Sequence, residues 1–500
     1  MGIVDDDRDH PTEVDVIIVG AGFAGLGMAI RLARSGEHSF LVLERGADVG
    51  GTWRDNTYPG VACDVPSHLY SFSFLPNARW SRVFSPGGEI QEYLRRAAED
   101  EGILPNVRLN ADMLAGTWDA VGQRWTVTTS GGVYTGRYLV LAAGHLADEK
   151  LAQIPGMDSF SGELFHSARW NHDVSLEGKR VGVVGSGASA IQIVPAVAHQ
   201  VRELVVFQRS APWVVPRMDG AYTEAEKRLF ERAPETIQDL RNDIFWTFEQ
   251  QYAARRKIEP FFSAIRKFAT RHLHDQVPEG ELRRRLTPDY DLGCKRMLIS
   301  SDYYPALQQP HVTLEASPLA KIDGTTAVSA AGNSFELDVL VFATGFEAAE
   351  PPFAHHVTGK DGRSLAAHWA AGMHALNSTA VPGFPNMFVL NGPNTGVGHT
   401  STLFLIETQV EFVLSAMAHA RAGDIGTVEA TSVAEAGYQQ EVRDRSAGTV
   451  WVDGGCKNWY VDPRSGDLTV IWPDFAYVFR DRNGSFDPDG YELVRGEVSA

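Results

Sequence analysis

VDVIIVGAGFAGLGMAIRLARSG, residues 14–36, decides the fold. Val14 to Val19 is, but for Asp15, an apolar run of the kind a strand buried on both faces requires, and a glycine turn and an apolar helix follow it directly. Gly20, Gly22 and Gly25 stand at GxGxxG spacing on that junction. The first permits a tight turn, the second lets a pyrophosphate approach the backbone, and the third lets helix pack on strand. The next strand, SFLVLE, closes on Glu44, 24 residues after Gly20, where a carboxylate accepts the ribose hydroxyls of an adenine dinucleotide. A bare GxGxxG is often a mere turn, but here strand, helix and acid are in register.

A second copy begins at Arg180: RVGVVGSGASAIQIVPAVA. Gly185, Gly187 and Ala190 repeat the pattern, with Ser186 and Ser189 in the same turn, and the residue 24 positions after Gly185 is Arg209. A carboxylate would repel a 2′-phosphate and a guanidinium forks onto one, so the second unit reads as a site for NADP rather than NAD. The plain alternative is a solvated Arg at a strand end. Each unit leads on to a hairpin-like stretch and an apolar strand ending in small residues, RWTVTTSGGVYTGRYLVLAAGH at 124–145 and AVSAAGNSFELDVLVFATGF at 327–346.

The expected protein is therefore α/β, with two Rossmann-like dinucleotide-binding domains and a helical insertion in the second. Its expected layout is a flexible acidic tail at 1–13, a first domain at 14–150, a second at 151–222, the insertion at 223–285, a return to the second domain at 286–335 and to the first at 336–500. An apolar helix, Leu403 to Ala420, follows a turn cluster at Asn391 to Gly398.

Composition narrows the classes. With 63 acidic against 45 basic side chains the formal charge is −18, which argues against a broad nucleic-acid or anionic-membrane footprint, so any anion must be captured locally. From the acidic N-terminal stretch no export, anchor or lipid signal is expected, and the longest apolar stretch, Val16 to Ile30, is too short for a bilayer and carries four glycines. Cys63, Cys294 and Cys456 are far apart and form no CxxC, so a disulfide framework, a zinc ribbon and a dithiol motif are not expected, and a reducing cytoplasm fits best. No HxxxH, HExxH or Cys/His cluster accompanies His166, and no metal is expected.

GGTWRDNTYPGVACDVPSHLYSFSF, residues 50–74, resembles the long fingerprint of the Baeyer–Villiger monooxygenases through Gly50, Gly51, Trp53, Tyr58, Pro59, Gly60 and Asp64. FSGELFHSARWN is similar to the family's shorter signature through Phe160, Gly162, His166 and Trp170, and departs from it at Asn171. That signature is shared in relaxed form with flavin-containing and N-hydroxylating monooxygenases; the longer one discriminates. DVLVFATGF, NGPNTGVGHTS and IWPDFAYVFR also look like family stretches, so the resemblance covers nearly the whole chain.

The resemblance implies FAD in the first domain, held by Gly20, Gly22, Gly25, Glu44, Gly51, Thr52, Trp53 and Asp64. It implies NADPH/NADP+ in the second, held by Gly185, Ser186, Gly187, Ser189, Ala190, Arg209 and Lys295, with Trp459 in CKNWYVDP near the nicotinamide ribose. Phe160, Gly162, His166 and Trp170 would belong to the interdomain linker, His166 as scaffold. Arg296 would be catalytic and Asp64 its partner: a flavin C4a-peroxide must stay deprotonated to attack a ketone, and a permanent cation stabilises that anion and the tetrahedral intermediate. The implied reaction takes NADPH, O2 and a ketone to an ester or lactone. N- or S-oxygenation, which does not need the Asp64–Arg296 pair, stays open, as does a flavoprotein reductase or redox-sensing module without oxygenation. Phe245, Trp246, Phe248, Phe261 and Phe262 either line a bulky apolar pocket or belong to the core.

Overall fold

The computed structural model describes residues 11–496, so most of the acidic tail, residues 1–10, lies outside it; Thr12 and Glu13, expected in the tail, already belong to the first strand. That strand, Thr12–Val19, runs parallel to Phe40–Leu43 on one side and Gly132–Leu141 on the other. Alternation explains its double burial. Val16 and Ile18 face a core shared with the helices Phe23–Ser35 and Thr402–Ala422, while Ile17 and Val19 face one that holds Trp118, Trp125 and Trp451.

Gly132–Leu141 changes partners along its length. Its first half pairs antiparallel with Arg124–Thr129, and Leu139 to Leu141 pair parallel with Met387–Val389, far later in the chain. The helix Thr402–Ala422 has the length and composition of a membrane span, but its apolar residues are packed against the first helix, which accounts for them.

The second sheet is all parallel, in the order Val312–Glu315, Glu203–Phe207, Arg180–Val184, Val339–Phe342, Glu163–His166. It corrects one boundary. Residues 336–342, expected to open the return to the first domain, lie in the second: Val339–Phe342 slots between two parallel strands, and Asp338 is pinned by Arg180 at 2.7 Å. The crossing comes after it, where Lys150 N–H donates to Gly345 O and Glu347 N–H to Asp148 O, both at 2.9 Å, so the outgoing and returning linkers are bonded to each other.

The segment 223–285 is helical, with Glu224–Arg232, Glu235–Glu249, Tyr252–Arg255, Phe261–Gln276 and Glu281–Arg285. Thr223 starts it with a capping box, its hydroxyl taking the Glu226 N–H. The insertion also grips the first domain. Phe245 lies 4.7 Å from Phe404, and buried Arg241 donates to the Ser71 carbonyl at 3.1 Å. A second correction concerns the cysteines: Cys294 and Cys456, 162 residues apart, form a disulfide, because the fold brings two distant loops together where local spacing showed no pair. Cysteine spacing therefore gives no sign of a reducing compartment. Cys63 is free and buried.

Candidate active site

The first glycine turn is built as its spacing predicted. A Cβ on Gly25 would sit 1.8 Å from Gly20 O, so helix and strand touch backbone to backbone there. Gly22 caps the helix without a side chain, which leaves the first-turn amides open toward a cleft. Across that cleft lies the second glycine pair: a Cβ on Gly51 would come within 3.1 Å of Gly22 Cα, so a side chain on this turn would close the gap. Thr52, Trp53 and Glu44 line the same cleft.

Glu44 is buried and partly committed. Its Oε2 accepts the Ala21 N–H at 2.8 Å, and its Oε1 accepts the Gly46 N–H at 2.7 Å and Arg54 Nη1 at 2.6 Å. Three of about four acceptor positions are used, which leaves room for one ribose hydroxyl rather than the expected two.

Asp64 and Arg296 come from loops 232 residues apart and meet in a bidentate pair, Nε to Oδ2 and Nη2 to Oδ1, both at 2.7 Å. Burial alone would raise the Asp64 carboxyl, but the Arg296 charge and its hydrogen bonds outweigh it and hold the group below its ordinary value. Reciprocally, the Asp64 charge raises the Arg296 guanidinium further against burial. The pair is not sealed: the side chains keep 37% exposure for Arg296 and 26% for Asp64. Tyr70 lines the first cleft and feels both charges, so the pair stands near that wall of the cleft without itself lining it.

Around this pair stand residues the sequence did not single out. Arg255, from the insertion, is 2% exposed; its Nη2 donates to Gly398 O at 2.8 Å and its Nη1 has no partner. Burial, with the Arg296 charge adding to it, lowers this guanidinium to about 10. Arg217 donates to the carbonyls of Cys63 and Phe84 at 3.2 Å and adds a further positive charge near Asp64. Neither lies in a recognisable motif.

The second turn faces solvent. Gly185 adopts φ +122°, and a Cβ there would clash with Ala343 O at 2.5 Å; Gly187 has nothing within 4 Å of where a side chain would start. Ser186 Oγ donates to Ser210 O at 3.1 Å, and Ser189 and Ala190 begin the helix Ala190–Val197. Arg209 is exposed beside this turn. Lys295 Nζ donates to Ser210 Oγ at 2.6 Å, and it is lowered by burial and then by the Arg209 charge, which shows the two cations to be neighbours. Trp459 is 42% exposed and sits 6.3 Å from the His145 ring; it is linked to Lys295 only through the Cys294–Cys456 bridge nearby.

The fingerprint loop joins the two halves. Tyr58 Oη donates to Gln192 Oε1 at 3.1 Å, and Gln192 in turn donates to Ala62 O at 3.0 Å. The shorter signature lies along the edge of the second sheet. A Cβ on Gly162 would meet Asp338 O at 2.2 Å, Phe160 joins that core, Trp170 packs edge-on against Phe165 at 5.1 Å, and buried His166 takes the Ala168 N–H and stands 5.9 Å from Phe346 of the returning linker. The aromatic insertion residues do not share a pocket: Phe245 and Phe262 are core, Trp246 and Phe261 are exposed, and Phe248 is half-buried.

Two glycine-turn dinucleotide folds, one with an ion pair tying its fingerprint loop to a distant loop and one beside two cations, define an oxidoreductase that brings two dinucleotides together. A family described as pyridine nucleotide-disulphide oxidoreductase matches residues 17–242. A Baeyer–Villiger monooxygenase of Streptomyces coelicolor is 43% identical over 484 residues, covering 96% of this chain and 93% of that protein. The structure is similar to cyclohexanone monooxygenase from Rhodococcus sp. Phi1 bound to NADP+, with TM-score 0.87 and 26% identity over 97% of this chain and 100% of that one. It is similar also to OTEMO in complex with FAD and NADP, with TM-score 0.85 and 25% identity over the same shares. The chain belongs to the Baeyer–Villiger monooxygenase family.

Proposed function

We propose that this protein is an FAD-containing, NADPH- and O2-dependent monooxygenase that inserts one oxygen atom beside a ketone carbonyl to give an ester or lactone. The observation that carries the reading is the bidentate Asp64–Arg296 pair. When bound, FAD reduced by NADPH supplies the activated oxygen.

The protein's own residues do the rest. The amides after Gly20 and Gly22, with Gly25 allowing the close turn, hold the FAD pyrophosphate; Glu44 takes a ribose hydroxyl, and Gly51, Thr52 and Trp53 form the facing wall. Gly185, Ser186, Gly187, Ser189 and Ala190 offer the matching turn to NADP, and Arg209 with Lys295 holds its 2′-phosphate, which two neighbouring cations in no salt bridge among the described residues favour. Trp459 borders the nicotinamide ribose. Arg296 presents a permanent cation to the negative charge that develops on the carbonyl oxygen under attack, and Asp64 fixes its orientation. His166, through Phe346, together with Phe160, Gly162 and Trp170, keeps the edge strand and linkers in register. The reading places the enzyme in the cytoplasm, where NADPH is regenerated, and no step of it calls on a metal.

The test is Arg296→Ala. NADPH should still bleach the flavin absorbance, while a panel of linear, cyclic, aromatic and steroid ketones should show no product heavier by one oxygen. A normal ester or lactone yield from this variant refutes the proposal, and oxygenated amines or sulfides in place of ketone products would move it to N- or S-oxygenation.

A further inference from the structure

We propose that His368, His374 and Glu435 bind one divalent transition-metal ion, zinc by its donor set, which staples the segment 368–374 to the helix Ser432–Ser446. The three side chains come from two helices and a loop, and no local motif announces them. Glu435 is a buried carboxylate, 4% exposed, with His368 Nε2 at 3.2 Å from each of its oxygens and His374 Nδ1 at 3.0 Å from Oε1.

The geometry points to a cation rather than to hydrogen bonds alone. All three ligand atoms lie within 4.8 Å of one another, and the two imidazole rings are 4.6 Å apart. His374 Nδ1 is buried and, despite its distance from Oε1, does not make a hydrogen bond of proper geometry. An ion between the three atoms satisfies all of them at once. In a tetrahedral zinc site with arms of about 2.0–2.1 Å, the edges are roughly 3.3 Å. The two observed edges, 3.0 and 3.2 Å, are close to that already.

The donors also select the metal. Two imidazoles and one carboxylate suit zinc, which takes such a set with a fourth position open, whereas calcium and magnesium seek oxygen cages. His374, 21% exposed at its side chain, leaves solvent a way to that fourth position. Outer contacts fix the ligands: Trp369 Nε1 donates to His374 O at 2.7 Å, and His368 packs against Phe384 at 6.1 Å. None of the three lines the FAD cleft, so the ion acts on stability and the inference is independent of the ketone chemistry.

The test uses untagged, FAD-loaded, full-length protein stripped with chelator and then titrated with ZnCl2. Gel-filtered protein should retain about one zinc per chain by elemental analysis, an X-ray absorption shell of N/O ligands at about 2.0 Å should appear, and saturating zinc should raise Tm by about 2–5 °C. Glu435→Gln should lose the zinc. Because that position is buried, the more exposed His374→Ala is the second variant: it should keep its FAD and ketone turnover yet retain no zinc. A folded wild type that retains no zinc, or a His374→Ala protein that retains as much as wild type, overturns the proposal.

Discussion

Asp64→Asn is the most informative single change. It keeps the volume of the fingerprint loop but turns one of the two oxygens that hold Arg296 into a donor, so of the two 2.7 Å bonds one is lost and the other keeps a charge on the guanidinium side only. A charge-assisted bond contributes about 1.5–3 kcal/mol, and water reaching this partly exposed pair offsets some of what is lost, leaving a net loss of about 2 kcal/mol. Arg296 would also face the buried Arg255 without a carboxylate of its own, while Arg217 keeps Asp219 at 3.4 Å. An untethered guanidinium serves the developing charge poorly, so ketone oxygenation should fall by about 10–100-fold. Flavin reduction by NADPH, which depends on the second glycine turn and its cations, should stay close to wild type. Anaerobic stopped-flow bleaching measures the first half-reaction, and product mass per NADPH consumed measures the second. Equal losses in both, or an unchanged product yield, would refute the orientation argument. The pH profile supplies a second readout. Arg296 holds the Asp64 carboxyl below its ordinary value, so the pair is complete above the usual carboxylate range and comes apart only as pH falls through the depressed value; Asp64→Asn should lack that acid limb.

Arg209→Ala should raise KM for NADPH by about 10–100-fold, the equivalent of one charge-assisted phosphate contact, and leave NADH nearly unaffected; an equal penalty on NADH would remove Arg209 from the 2′-phosphate. Gly60→Ala places a Cβ 2.7 Å from Gln192 O at φ +83°, so the fingerprint loop must lift off the helix Ala190–Val197, and NADPH oxidation should become poorly coupled to product; retained coupling would show that this contact carries no communication. His68 is buried with both ring nitrogens unpartnered and lowered to about 4 by burial and then by Arg241. The unfolded chain takes up that proton first, so stability should fall by about 3 kcal/mol as pH drops from 6.5 to about 4, and His68→Leu should flatten this limb of the urea-denaturation profile; an unchanged slope would contradict it.

What was legible followed local rules. Both glycine turns, the acid or base 24 residues on, and the helical insertion depend on contacts within one strand–turn–helix unit or one periodic segment, and the structure carries them at the expected places. The Asp64–Arg296 contact was legible only through the family resemblance, since nothing in either loop specifies its partner. Val339–Phe342 is four buried apolar residues that suit a strand of either domain; its neighbours decide, and they lie elsewhere in the chain. Arg255 was invisible for a related reason: on a short helix among other arginines, only the fold makes it a buried cation near Arg296. The Cys294–Cys456 bond and the His368–His374–Glu435 cluster likewise depend on long-range closure.

The switch of partners along Gly132–Leu141 bears on how the chain is made. Its last three residues wait for Met387–Val389, and the first helix waits for Thr402–Ala422, so the amino-terminal domain cannot close until more than 400 residues have left the ribosome. The second sheet, by contrast, has all five strands by Phe342. The half that begins first is therefore completed last, and during synthesis its exposed strand edge is a surface that a chaperone has reason to cover.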